Sequence, residues 1–294
     1  MDAKDFRLLV ALDEDARQSL QALGRTVSLS APAVRERLQR LEARGILQGY
    51  WVAVNPRIFG RRDLLMAFEP EWSRDEAVKA LTGPDVAWVA WKVDGGLTVQ
   101  VWPQDIRRGV AAVTRFLGRD PIWQGVAGSS WTGTLTRLDW RVLEALIDDP
   151  RASVDELSQR TRLSPKTVRN HVARLTRDEA IFVVPRLGFL ADSGDVVYHL
   201  AVAGKISFAA LRRAIGDAVL VHETQDPPRK FLFCRADNLG ELTATTHGLG
   251  KSPDVTSVQL SLNREMLIGI EFVHRLVQEH IQAAEKSASR RTLK

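Results

Sequence analysis

A single cysteine, Cys234, in 294 residues excludes an intrachain disulfide and fits a reducing compartment. No run of eighteen apolar residues exists, so no membrane-spanning helix is encoded. The opening Met-Asp-Ala-Lys-Asp has no apolar signal region, and a cytoplasmic location is expected. There is no CxxC or HExxH pattern, so no zinc site is visible and neither metal nor cofactor is expected. Residues 1–133 contain no histidine. His171, His199, His222, His247, His274 and His280 all lie later, with no pair at metal-ligand spacing on one predicted element. What is present is ordinary for a soluble globular chain: 45% hydrophobic and 26% charged residues. The net charge of +5 and pI of about 9.6 have the sign that suits a polyanionic partner.

The most informative stretch runs from Ser28 to Leu47. Ser30 is placed as an N-cap, and Pro32 is tolerated in a first turn that has no intrahelical N–H bond to lose. Val34, Leu38 and Leu41 form one apolar stripe, and Arg44-Gly45 supplies the last turn and its C′ glycine. The opposite face carries Pro32, Arg35, Glu36, Gln39 and Arg40. A preceding short helix, Leu20 to Val27 capped by Ser19, completes a helix-turn-helix layout, whose second helix is the one that enters a major groove.

The stretch occurs twice. Residues 5–47 superpose on residues 139–181 at an ungapped offset of 134. Asp5 falls on Asp139, Arg17 on Arg151, Ser19 on Ser153, Ser30 on Ser164, Arg35 on Arg169 and Arg40 on Arg174. Caps, core stripe and arginines recur together while much else differs. The match continues at an offset near 132, with Asp85-Val86-Ala87 on Asp217-Ala218-Val219 and Leu117-Gly118 on Leu249-Gly250. The chain is a tandem duplication of a two-part unit whose period is far too long for a solenoid.

After the first helix-turn-helix, Ile46 to Val54 is β-rich and interrupted by Gly49, which predicts the two short strands of a wing. From Asp63 the order becomes strand (64–68), helix (75–81), strand (86–93), Asp94-Gly95-Gly96 turn, strand (97–102), helix (106–117) and strand (122–131). That order is the ferredoxin-like βαββαβ arrangement, and it repeats over 196–260. Trp88 and Trp91, three apart on one strand, must face opposite sides. One therefore covers the open sheet face, either as core packing or at an interface. Leu187 to Asp195 reads as a linker, Glu271 to Lys286 as a last helix on the second sheet or a partner chain, and Ser287 to Lys294 as a disordered tail. The expected class is α+β: winged helix-turn-helix (1–56), ferredoxin-like domain (57–133), second winged helix-turn-helix (134–186) and second ferredoxin-like domain with a C-terminal helix (187–294).

With these residues placed, the first unit resembles the leucine-responsive regulator (Lrp/AsnC) family of transcription factors. The resemblance rests on Ala16-Arg17-x-Ser19, Leu29-Ser30-x-x-x-Val34-x-x-Arg37-Leu38-x-Arg40-Leu41-Glu42-x-x-Gly45-Ile46, and Gly49-Tyr50 leading to Asn55-Pro56. It implies a transcriptional regulator, not an enzyme, with double-stranded DNA as partner and an amino acid or related small molecule as effector. It also implies self-association through the ferredoxin-like domains. The candidate DNA contacts are Ser30, Ala33, Arg35, Glu36, Arg37, Gln39 and Arg40 in copy one, and Lys166, Thr167, Arg169, Asn170 and Arg174 in copy two. Asp94, Gly95 and Gly96 occupy the turn where the family carries its effector signature. The corresponding Gln225-Asp226-Pro227-Pro228-Arg229 departs from that pattern, as does Glu179-Ala180, which stands where copy one has Gly45-Ile46. The alternative is a siroheme-type tetrapyrrole decarboxylase of the same architecture, which requires basic and histidine groups converging on one pocket.

Overall fold

The computed structural model describes residues 1–128, 131–188 and 196–292. Its architecture is α+β, with two winged helix-turn-helix heads and two ferredoxin-like sheets. The first head contains α1 (Ala3–Glu14), α2 (Leu20–Val27), α3 (Ala31–Ala43) and β1 (Leu47–Val54). Each helix starts where the sequence supplies a cap. Asp2 and Asp5 form a reciprocal capping box on α1, and Ser19 and Ser30 accept from the backbone N–H groups of Ala22 and Ala33. The second head repeats this with α6 (Arg137–Asp148), α7 (Val154–Thr161), α8 (Pro165–Arg177) and β6 (Ile181–Leu187), capped by Thr136, Ser153 and Ser164.

The wing differs from expectation. Gly49 (φ +122°) does not divide the segment into two strands, because the pairing partner of β1 lies in the other head. β1 and β6 form an antiparallel ribbon, Val54 opposite Ile181 and Tyr50 opposite Pro185, with an irregularity between Leu47 and Tyr50. Backbone bonds extend the ribbon at both ends, from Asn55 N–H to the Ala180 carbonyl (3.0 Å) and from Gly188 N–H to the Ile46 carbonyl (2.9 Å). Ile46 and Ala180 are repeat equivalents, so the two heads are related by an approximate internal two-fold axis through the ribbon. One apolar core runs through both, including Leu9, Leu12, Leu143 and Leu146, each 0% exposed.

The first ferredoxin-like sheet has the order β5-β2-β4-β3, built from β2 (Leu64–Phe68), β3 (Val86–Lys92), β4 (Leu97–Val101) and β5 (Trp123–Val126). The second has the equivalent order β10-β7-β9-β8, from β7 (Val196–Gly204), β8 (Ala218–Gln225), β9 (Pro228–Ala236) and β10 (Val255–Ser261). Helices α4 (Arg74–Leu81) and α5 (Ile106–Leu117) belong to the first, α9 (Phe208–Ile215) and α10 (Leu239–Gly250) to the second. Trp91 faces the helix-side core of sheet one, while Trp88 faces the other way and packs with Leu65, Ala90, Trp123, Phe231 and Met266 between the two sheets. The open faces of the two sheets thus cover one another within a single chain.

A strand absent from the sequence reading, β11 (Asn263–Ile268), crosses from the edge of sheet two to pair with β3 of sheet one, Ile268 opposite Trp88. The last helix, α11 (Ile270–Thr292), extends beyond the expected end at Lys286. It packs on α6 and on sheet one rather than on sheet two: Phe272 lies against Trp102 (ring centroids 5.7 Å) and His280 against Trp140 (4.8 Å). The expected linker falls at 189–195, outside the described residues. Cys234 is buried, which pushes its thiol up to about 12.

Candidate nucleic-acid interface

The buried side of α3 is the predicted stripe, with Val34, Leu38 and Leu41 at 0%, 6% and 2% exposure. That fixes the helix about its axis and turns Pro32, Arg35, Glu36, Gln39 and Arg40 to solvent. In α8, Val168 and Leu175 are buried and Lys166, Arg169 and Asn170 are exposed. Ser30 is exposed but spends its hydroxyl oxygen on the Ala33 N–H (3.4 Å). Thr167 is half-buried, its hydroxyl 2.8 Å from that of Ser164, and Ala33 is half-buried with no polar group to offer. Arginine in this setting can bridge guanine O6 and N7, and asparagine adenine N6 and N7.

Two of the expected contacts already have partners within their own heads. Arg37 turns inward, where its Nη1 bonds Asp2 Oδ2 and Asp5 Oδ1, both at 2.7 Å. Those hydrogen bonds raise the Arg37 guanidinium above its ordinary range. Arg174 is drawn into an ion pair with Asp139, a carboxylate with 0% side-chain exposure that also lies 2.7 Å from His171 Nδ1. The physical reason is shared: the N3 carboxylate of each head's first helix, Asp5 or Asp139, closes the capping box there and, withdrawn from water, needs a cation from the third helix of the head.

The heads are held to each other by a reciprocal arginine pair at equivalent positions of the repeat. Arg17 reaches across to the carbonyls of Pro150 (2.7 Å) and Ala152 (2.8 Å). Its equivalent Arg151 reaches back, stacking on the Tyr50 ring at 4.7 Å and donating to the Tyr50 hydroxyl at 3.0 Å. These contacts and the ribbon tie α3 and α8 to one frame.

The Asp94-Gly95-Gly96 turn is closed on itself. Asp94 Oδ1 accepts from Gly96 N–H (2.8 Å), Gly95 N–H donates to the Lys92 carbonyl (3.1 Å), and the Gly95 carbonyl accepts from Trp72 N–H (3.0 Å). Gly95 has φ +81°, and a Cβ there would lie 3.2 Å from Glu71 N, so the turn is seated against the β2–α4 loop. The polar groups that stand out in this half lie instead between the sheets. Burial lowers the pKa of both Lys92 and Arg229, the Arg229 charge lowers that of Lys92 further, and Arg229 Nε is buried without a hydrogen-bond partner. Arg229 lies 4.5 Å over the Trp123 ring. In the second unit the turn is only Asp226-Pro227, with Thr224 Oγ1 donating to the Pro227 carbonyl (2.7 Å).

His199, also between the sheets, is pushed down to about 3, first by burial and then by the Lys92 charge. The unfolded ring takes a proton below about pH 6.5, whereas the folded ring stays neutral down to about 3. Stability is therefore fully present above that unfolded pKa and falls by about 1.4 kcal/mol per pH unit as the solution is acidified through the window. Asp13, pushed up to about 7 by burial, contributes in the opposite direction over the same range, so the expected result of denaturation from pH 7 to 4 is that His199→Gln loses less stability on acidification than the wild type. An identical slope in the variant would contradict the assignment.

An AsnC-type helix-turn-helix domain matches residues 1–42, and a winged helix-turn-helix DNA-binding domain matches residues 135–181. The transcriptional regulator LrpA of Mycobacterium tuberculosis is 41% identical over 68 residues, 23% of this chain and 44% of its own length. LrpA of Pyrococcus horikoshii is 35% identical over 60 residues, 20% of this chain and 43% of its own. The chain thus spans under half the length of these two curated relatives. Among solved structures, the siroheme decarboxylase NirDL aligns over 96% of this chain and 99% of its own, at 14% identity and a TM-score of 0.49. Among the described residues no helix is long and apolar enough to cross a membrane. The chain thus carries two helix-turn-helix domains, the first of AsnC type, and shares stretches of 60–68 residues with Lrp-type regulators.

Proposed function

We propose that this chain is a sequence-specific DNA-binding transcription regulator in which one polypeptide presents two unlike recognition helices to one duplex. The observation that carries the reading is the β1–β6 ribbon, which joins the two heads about an internal two-fold axis. A regulator made of two identical subunits places two identical helices on a palindrome. Here the same geometry is built from two different helices. Copy one offers Arg35, Glu36, Gln39 and Arg40, and copy two offers Lys166, Arg169 and Asn170. Binding to duplex DNA is expected to weaken linearly in log salt, at about −0.9 per phosphate neutralised. Salt-independent or undetectable binding to every duplex tested would contradict it.

The modulator in this proposal is an amino acid or related small molecule. Its carboxylate would be met by Lys92 and Arg229, two partly desolvated cations, rather than by the self-satisfied Asp94-Gly95-Gly96 turn. The reading is of a binding protein and not of a decarboxylase. What supports this is the pair of helix-turn-helix matches over residues 1–42 and 135–181.

A further inference from the structure

The two heads satisfy the same buried acid in different ways. In copy one, the cap of α1 brings Asp2 and Asp5 to α3, and the single guanidinium of Arg37 bonds both. Arg40, one turn further on, is left exposed, with no hydrogen bond or ion pair from its side chain among the described contacts. In copy two, Thr136 stands in place of Asp2 and His171 in place of Arg37. Asp139 keeps the position of Asp5 and is fully buried, accepting from the Thr136 backbone N–H and hydroxyl (both 2.6 Å).

A carboxylate withdrawn from water needs an opposite charge, and a neutral hydrogen-bond donor is not enough. His171 gives Asp139 a hydrogen bond, but burial favours its uncharged form. The charge comes from Arg174, the equivalent of Arg40, which closes on Asp139 Oδ2 and has only 35% of its side chain exposed.

We infer that His171 acts as a positioning residue that withdraws Arg174 from the DNA-facing surface of the second head, making that head the weaker phosphate binder. The effect follows from one exchange at equivalent positions: an arginine at 37 frees Arg40, and a histidine at 171 engages Arg174. The inference rests on the DNA-binding reading above, but the exchange of partners is also readable without DNA.

The test uses the full chain, a mixed-sequence 40-base-pair duplex and fluorescence anisotropy between 50 and 200 mM salt. In the wild-type background, Arg174→Ala is expected to leave the salt slope unchanged. His171→Arg is expected to bond Asp139 itself and release Arg174, steepening the slope by about 0.9. Its affinity should then fall about three- to fourfold more than wild type over that salt range. The double variant His171→Arg/Arg174→Ala should return to the wild-type slope. The reciprocal Arg37→His should make the slope shallower by a similar amount, by drawing Arg40 inward.

Thermal melting supplies the DNA-free readout: Arg174→Ala should lower the melting temperature in the wild-type background and leave it unchanged in the His171→Arg background. A slope made shallower by Arg174→Ala alone, or unchanged in a folded His171→Arg, would overturn the inference. Absence of binding by every variant would overturn the DNA reading itself, while melting still decides the exchange of partners.

Discussion

Arg35→Ala/Arg40→Ala is expected to weaken binding to the best duplex site by about 2–6 kcal/mol, at about 1–3 kcal/mol for each arginine that reads a base. The fold should survive, because both side chains are exposed and lie opposite the Val34–Leu38–Leu41 stripe that holds α3 in place. Arg37→Ala, on the same helix, is expected to behave differently. It strips Asp2 and Asp5 of their shared cation and lowers thermal stability, and its loss of affinity, from Arg40 turning toward Asp5, should stay below that of the double variant, which also removes Arg35. Titration of labelled duplex together with circular dichroism separates the two outcomes. Equal losses of affinity from Arg37→Ala and the double variant, with equal folding, would contradict the side-chain assignment on this helix.

The second large effect concerns the ribbon between the heads. Val183→Asp is expected to cost about 3–5 kcal/mol, the penalty for an unpaired charge in the interior. Val183 is 6% exposed, lies opposite Val52 (also 6%), and its carbonyl accepts from the Ala16 N–H of the other head at 3.1 Å. Its neighbour Phe182 is 42% exposed, because successive strand residues face opposite sides. Phe182→Asp is therefore the control, with an expected change within about 0.5 kcal/mol. Loss of the ribbon should also uncouple the heads. Two heads on one rigid frame bind the second half-site as an intramolecular event, and avidity of about 10²–10⁴ is lost when that geometry is lost. Duplex affinity that survives Val183→Asp undiminished would show that the heads act independently.

Local chemistry was legible in the sequence wherever it determines local structure. The caps at Ser19, Ser30, Ser153 and Ser164 were readable because a hydroxyl before an apolar-periodic run has one favourable place to bond. The opposed faces of Trp88 and Trp91 followed from the pleat alone. The order βαββαβ was readable from alternating apolar runs and the Asp94-Gly95 turn.

Partner choice over long distances was not legible. Nothing in Leu47–Val54 says that its pairing strand lies more than a hundred residues away, and Gly49 suggests a local break instead. β11 follows β10 after a single residue, yet it pairs with β3 of the other sheet. Arg37 and Arg174 illustrate the same limit at a site. Helical periodicity puts a long side chain near a face, but a buried carboxylate from another helix decides where its charge goes. The signal for those carboxylates was present, since Asp5 and Asp139 coincide in the repeat. Their burial was not.

The central claim is that one chain reads two unlike half-sites through two fixed heads. Its most direct test is selection of binding sites from a random DNA pool with the full chain, followed by hydroxyl-radical footprinting of the selected duplex. The expected result is two protected half-sites of different sequence, one helical turn or a whole number of turns apart. Arg35→Ala/Arg40→Ala should erase protection of only one of them. Perfectly palindromic sites, or a footprint erased on both halves by that variant, would mean that copy one from two separate chains reads the operator, contradicting the claim.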